Sequence, residues 1–393
     1  MSDESLDLPV AAPREPAAFT PRRRDWAALI ARTLAGWALG YHRLEVSAPE
    51  GAFVQDKGIV EIQESVFGAL PTEMSPDPRV IVLFADLGQF KKFEFDGFFN
   101  VFDQMTEKEA WEKHQQHSNE ANIIYINGLR SSETYTQGVI SHELQHLLTH
   151  HGRPEAGQGL ENWLSESIAE GAMLLTGYYT DQGHVNRYAK SPWQFPLVSP
   201  SYVQYGPQIL FASYLFDQLK QPRLFAKTGQ IPLPSKRAVE AVMEEALGVP
   251  QNFDAIFSQF LSYIFGTAEK KEKIPGGWRH YENTGLTIPA FAYAAEAMNL
   301  PFDFQGTVMP YAFAPIKLPH PLPMNALVRV SIGEAQEECR KNGSALWKPL
   351  SSHVLAVYVV GCTANKPSEA VKFQLSIFEV PEMLPRSPLR LGL

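Results

Sequence analysis

Cysteine is nearly missing from this 393-residue chain: Cys339 and Cys362 are the only two, and both come late. Two thiols cannot build a four-thiolate zinc site, and no Cys-x-x-Cys pair occurs, so dithiol chemistry has no sequence support. They leave two states open, a disulfide in an oxidising compartment or two separate thiols in a strand-rich region. Long apolar runs are missing too. No stretch reaches the ~18 consecutive apolar residues expected of a membrane-spanning helix. Basic charge is scarce, and the net charge of −9 argues against a nucleic-acid partner. Neither a Gly-x-Ser-x-Gly elbow nor a phosphate-binding glycine loop occurs, which leaves serine-hydrolase and nucleotide readings without support.

Apolar material is plentiful. The chain is 45% hydrophobic and 20% charged, enough for a sizeable core spread over two or three domains. Residues 1 to 22, rich in Pro, Ala and charge, read as mobile. The stretch "PRRRDWAALIARTLAGWALG" resembles an export signal at first sight. Asp25 and Arg32 interrupt it and no Ala-x-Ala site follows, so residues 26–39 read as a core or amphipathic helix. "PRVIVLFADL" and "NIIYIN" (122–127) read as buried strands. A long helix is expected from about Glu133 to Thr149, ended by the Gly/Pro loop "HGRPEAGQG". Helical spacing returns in "LENWLSESIAEGAMLLTG", "YGPQILFASYLFDQL", "KRAVEAVMEEALG" and "NFDAIFSQFLSYIFG".

After about residue 275 the pattern changes to "ALVRVSI", "SHVLAVYVV" and "VKFQLSIFEV". In the last of these, Val371, Phe373, Leu375 and Ile377 share one face of a strand, and Lys372, Gln374 and Ser376 share the other. This predicts an antiparallel β-sandwich. The expected division is an N-terminal segment and helix (1–45), an α/β part carrying the long helix (46–150), a helical part (151–272) and the β-domain (275–393). The fold class expected is α+β.

The chemistry concentrates in "SHELQHLLTHHG", residues 141–152. His142 and His146 stand four apart on a helix, so both imidazoles leave one face and can take adjacent corners of a tetrahedral zinc site. Glu143 projects beside the open corner, where it can take a proton from water. By chance this motif arises in on the order of a few per cent of such chains, so a third ligand is required. A continuation with Gly and His three and six residues past the second histidine fails, because those positions are Thr149 and Gly152. His150 and His151 are out of register and suit the helix C-terminus. The remaining candidate is Glu166, on a second helix that antiparallel packing would bring to the metal. Glu170, one turn on, can accept a hydrogen bond from a ligating imidazole. His114 and His117 sit in a polar segment and read as solvated; His280, His320 and His353 suggest nothing.

Helix-borne "HELQH", a loop, then "WLSESIAEG" resembles the gluzincin clan of zinc metallopeptidases, and within it the hyicolysin-like family of bacterial neutral metalloproteases. The likeness takes in "DGFFNVFDQM", "SNEANIIYIN" and "YGPQILFASYLFDQL", roughly residues 78 to 220. Ser167 stands where that family often has a small residue such as Gly. The resemblance implies a mixed sheet, two active-site helices and a helical lower half. It implies one Zn²⁺ held by His142, His146 and Glu166, Glu143 as general base, and Glu170 behind a ligand. It makes Ile123, Ile124, Tyr125 and Ile126 the edge strand that binds extended peptide. Tyr205 is the first choice for an oxyanion donor, ahead of Tyr202 and His184. The activity implied is hydrolysis of a peptide or protein substrate, with export from the cell. Two alternatives stand beside it: an inactive protein that binds through the same fold, and a zinc amidohydrolase acting on a small amide.

Overall fold

The computed structural model describes residues 58–72, 79–87, 96–128, 133–153, 160–178, 182–200, 204–271, 286–318 and 321–379. The helix expected over 26–39 and the segment 1–45, with Tyr202, His280 and His320, lie outside them. Within them the fold is α+β.

Helix α1 (Ile59–Phe67) buries Ile59, Ile62, Gln63 and Phe67, one helical stripe. Strands β1 (Ile81–Ala85) and β2 (Gly97–Phe99) follow, then a 3₁₀ turn (Val101–Gln104) capped by the Asn100 side chain. Helix α2 (Glu107–His114) starts with a reciprocal capping box between Thr106 and Glu109. Strand β3 (Ile123–Asn127) leads to the long helix α3 (Glu133–Gly152). Helices α4 (Asn162–Thr176), α5 (Gly183–Lys190), α6 (Gly206–Leu219), α7 (Pro222–Gln230), α8 (Ser235–Leu247) and α9 (Phe253–Lys270) make the helical half.

The first sheet has the order β1–β3–β2. β3 pairs parallel with β1 and antiparallel with β2, and all five of its residues are buried. This corrects one expectation. Ile123, Ile124, Tyr125 and Ile126 are not an edge strand. With neighbours hydrogen-bonded on both sides, they have no free ladder to offer a substrate. Among the described residues, the edge position beside the long helix belongs to β2.

The later strands are β4 (Ala295–Glu296), β5 (Phe302–Val308), β6 (Phe313–Lys317) and β7 (Ala326–Ile332). After a short helix α10 (Glu337–Asn342) come β8 (Ser344–Ser351), β9 (Val354–Val360) and β10 (Val371–Glu379). They form two sheets, β5–β10–β7 and β4–β6–β9–β8. The alternation read in β10 holds: Val371, Phe373, Leu375 and Ile377 are buried against Leu355, Val357 and Val359 of β9. Cys339 and Cys362 form a disulfide.

β9 is buried along its whole length, as its unbroken apolar run requires. Its second face, with Ala356, Tyr358 and Val360, belongs to the core of the helical half. The Tyr358 ring lies 5.9 Å from that of Phe257, and Lys348 Nζ donates to the Ser258 carbonyl at 2.8 Å. Tyr311 crosses the same boundary: its hydroxyl donates to Asp254 Oδ1 at 2.7 Å and accepts from Lys236 Nζ at 2.8 Å. Leu286, Ile288 and Phe291 also pack in the helical core, although they follow residue 275.

Candidate metal centre

α3 and α4 pack side by side, and a buried polar network fixes how far one slides along the other. Ser141 Oγ donates to the Ala172 carbonyl at 3.1 Å and stands 2.8 Å from Thr176 Oγ1. Gln63 Nε2 reaches in from α1 and donates to the Ser141 carbonyl and hydroxyl at 2.7 and 2.9 Å. Fully buried hydrogen bonds of this kind are costly to break, so they select one register. Ser141 immediately precedes His142, and the network therefore sets the first histidine.

In that register three candidate ligands converge. His142 Nε2 lies 3.1 Å from Glu166 Oε2 and 3.2 Å from His146 Nε2, and His146 Nε2 lies 3.7 Å from Glu166 Oε1. Ligands about 2.0–2.1 Å from a tetrahedral zinc ion stand roughly 3.3 Å from one another, so the donor set fits. Among the described residues, no other His, Cys, Asp and Glu group comes together in this way. His117 pairs with Glu107 at 2.8 Å.

The supporting shell is also in place. Glu170 Oε1 stands 3.3 Å from His142 Nδ1, so the carboxylate can fix the tautomer that leaves Nε2 free for a metal. Ser165 Oγ lies 3.2 Å from His146 Nδ1, where the hydroxyl can accept from the ring and orient the second histidine. Sequence reasoning passed over Ser165, because no spacing rule singles out the neighbour of a ligand.

Electrostatics follow from burial and charge. Burial pushes the Glu143 carboxyl up, against the lowering effect of His142 and His146. Burial would also raise Glu166, but the two histidines hold it well below the usual carboxylate range. His142 is lowered by burial, yet its hydrogen bonds to Glu166 and Glu170 leave it raised well above 6.5.

Edge strand β2 passes directly over Glu143. A Cβ added to Gly97 would stand 2.7 Å from Val139 Cγ1, 2.9 Å from the Tyr125 carbonyl and 3.0 Å from Glu143 Cγ. Only glycine permits that approach. A three-residue strand carries too little pattern to be read as one, and this contact was not expected.

Tyr205 stands just before α6 with φ +58°, a conformation a non-glycine residue adopts only under constraint. Its ring is 6.2 Å from that of His142 and 5.1 Å from that of His184 on α5. The charge of Glu166, then burial, then Glu170 and Glu143 raise its phenol well above 10, so it remains a proton donor. His150 lies at the end of α3 with its ring 5.8 Å from that of Phe99. No protein-family model matches the chain, and no curated protein matches it.

Proposed function

We propose that the chain is a zinc-dependent endopeptidase of gluzincin type, hydrolysing peptide bonds by Glu143-assisted attack of water. The observation that carries this reading is one juxtaposition. Two imidazoles and a carboxylate converge within 3.1–3.7 Å of one another, next to a buried carboxylate that lies under a sheet edge. His142, His146 and Glu166 would hold the ion. Zinc, when bound, supplies a Lewis acid that polarises a carbonyl and acidifies water.

The chain's own groups do the rest. Glu143 accepts a proton from the attacking water and returns it to the leaving amine. Tyr205, kept protonated, donates to the oxyanion that develops on the scissile carbonyl. An extended peptide adds to β2 as a further strand, taking over the rail role expected of Ile123–Ile126. In this reading the two C-terminal sheets are a sandwich domain outside the catalytic machinery. The Cys339–Cys362 disulfide supports an oxidising compartment, as the resemblance implies.

Casein and a quenched peptide, assayed with and without chelator, test the reading. Hydrolysis that chelator abolishes and zinc restores is the expected result. Zinc-loaded wild-type protein that cleaves neither would sink it, and cleavage of a small amide alone would move the protein to the amidohydrolases.

A further inference from the structure

We infer that Tyr125 and Asp103 are positioning residues that lock edge strand β2 over Glu143 and so direct the enzyme to extended polypeptide rather than to short amides. This rests on the peptidase reading above. Little holds β2. It has three residues and, among the described residues, one strand partner, with Gly97, Phe98 and Phe99 opposite Ile126, Tyr125 and Ile124. Ladder bonds of so short an edge fray easily.

Side chains alternate along it. Gly97 lies against Val139 and Glu143, and Phe99 near His150, so both face α3. Phe98 therefore points to the opposite face. There its ring stacks on that of Tyr125, with centroids 4.4 Å apart and planes within 6°. Tyr125 is itself tethered. Its hydroxyl donates to Asp103 Oδ2 at 2.7 Å and accepts from Asn119 Nδ2 at 2.7 Å. Asp103 Oδ1 accepts from the Asn119 backbone N–H at 2.8 Å and from Asn119 Nδ2 at 2.9 Å.

Asp103 lies in the turn that leaves β2, so the chain is pinned back onto the central strand a few residues after the edge ends. This carboxyl is fully buried. Any other arrangement would leave members of this buried network unpaired, so the network selects a single geometry. Here that geometry holds the three-residue edge in place beside Glu143, where Gly97 lies against the Glu143 side chain.

The test uses full-length zinc-loaded protein and two variants, Tyr125→Phe, which removes the tether, and Phe98→Leu, which removes the stack and leaves the tether. Kinetics are read on a quenched octapeptide and on a blocked dipeptide amide, with zinc content. Hydrogen exchange is followed at residues 96–100 and along α3. Both variants should lose about 10- to 100-fold in kcat/KM on the octapeptide, stay within about twofold on the dipeptide, and keep their zinc. Exchange should quicken at 96–100 and not along α3. Equal losses on both substrates, no loss on either, or unchanged exchange at 96–100 overturns the inference. If wild-type protein hydrolyses neither substrate, the peptidase reading has failed, and the exchange measurement alone decides whether the lock exists.

Discussion

Glu143 differs from His142 and His146 in what it touches: they meet Glu166, whereas it lies against Gly97 of β2. The difference separates holding a metal from using one. Glu143→Gln keeps the size and loses the ability to take a proton, so turnover should fall ~100- to 10,000-fold with zinc content unchanged. His142→Ala should lose the metal, because two remaining ligands hold zinc poorly. Elemental analysis beside peptide hydrolysis reads both; stoichiometric zinc in His142→Ala would refute the ligand set. His142 also gives a pH dependence. Its pKa in the folded, metal-free protein is raised above 6.5, so its stabilisation is complete below 6.5 and is lost as pH climbs through the folded value. The Tm of metal-free protein should decline as pH rises from 6.5. Zinc takes the proton's place, so zinc-loaded protein should show no such decline there. Parallel curves for the two forms would discredit the assignment.

At the scale of elements, β2 offers the sharpest test. Gly97→Ala would place a methyl group against Val139, the Tyr125 carbonyl and Glu143. The strand must move off α3, and a displacement near 1 Å at the reacting groups can cost about 100-fold in rate. Zinc should stay. A Gly97→Ala enzyme with wild-type kcat would show that β2 does not bear on the reaction. The same strand shows what the sequence could convey. His142 and His146 were legible as a pair because helical spacing is local and sets residues four apart on one face, whereas Glu166 stands on a second helix and its place beside them depends on how α3 and α4 pack. The alternation in β10 was legible because it too is local. Whether Ile123–Ile126 lay at an edge was not, since that depends on which strands come to lie beside it. The pairing partner β2 is only Gly97–Phe99, too short for a periodic signal. The buried face of β9 against Phe257 was hidden likewise: an unbroken apolar run says that both faces are covered, and not by what.

The whole molecule is joined through that strand. Leu286, Ile288, Phe291 and one face of β9 complete the core around α9, while the candidate metal ligands all precede residue 167. A chain cut near Gly276 keeps every ligand and loses a wall of its core. It should be recovered mainly in insoluble form, or bind a hydrophobic dye strongly if soluble. A soluble truncation with a cooperative melt and stoichiometric zinc would show the sheets to be dispensable. On the proposed peptidase reading, β9 also constrains when activity can arise. Synthesis runs from the N-terminus, and His142, His146 and Glu166 leave the ribosome long before Val354–Val360. Until that late strand docks on α9, the helices that frame the ligands lack part of their support, and a nascent chain carries a finished ligand set in an unfinished scaffold. In the cell that made it, such a hydrolase would stay idle through most of its own translation.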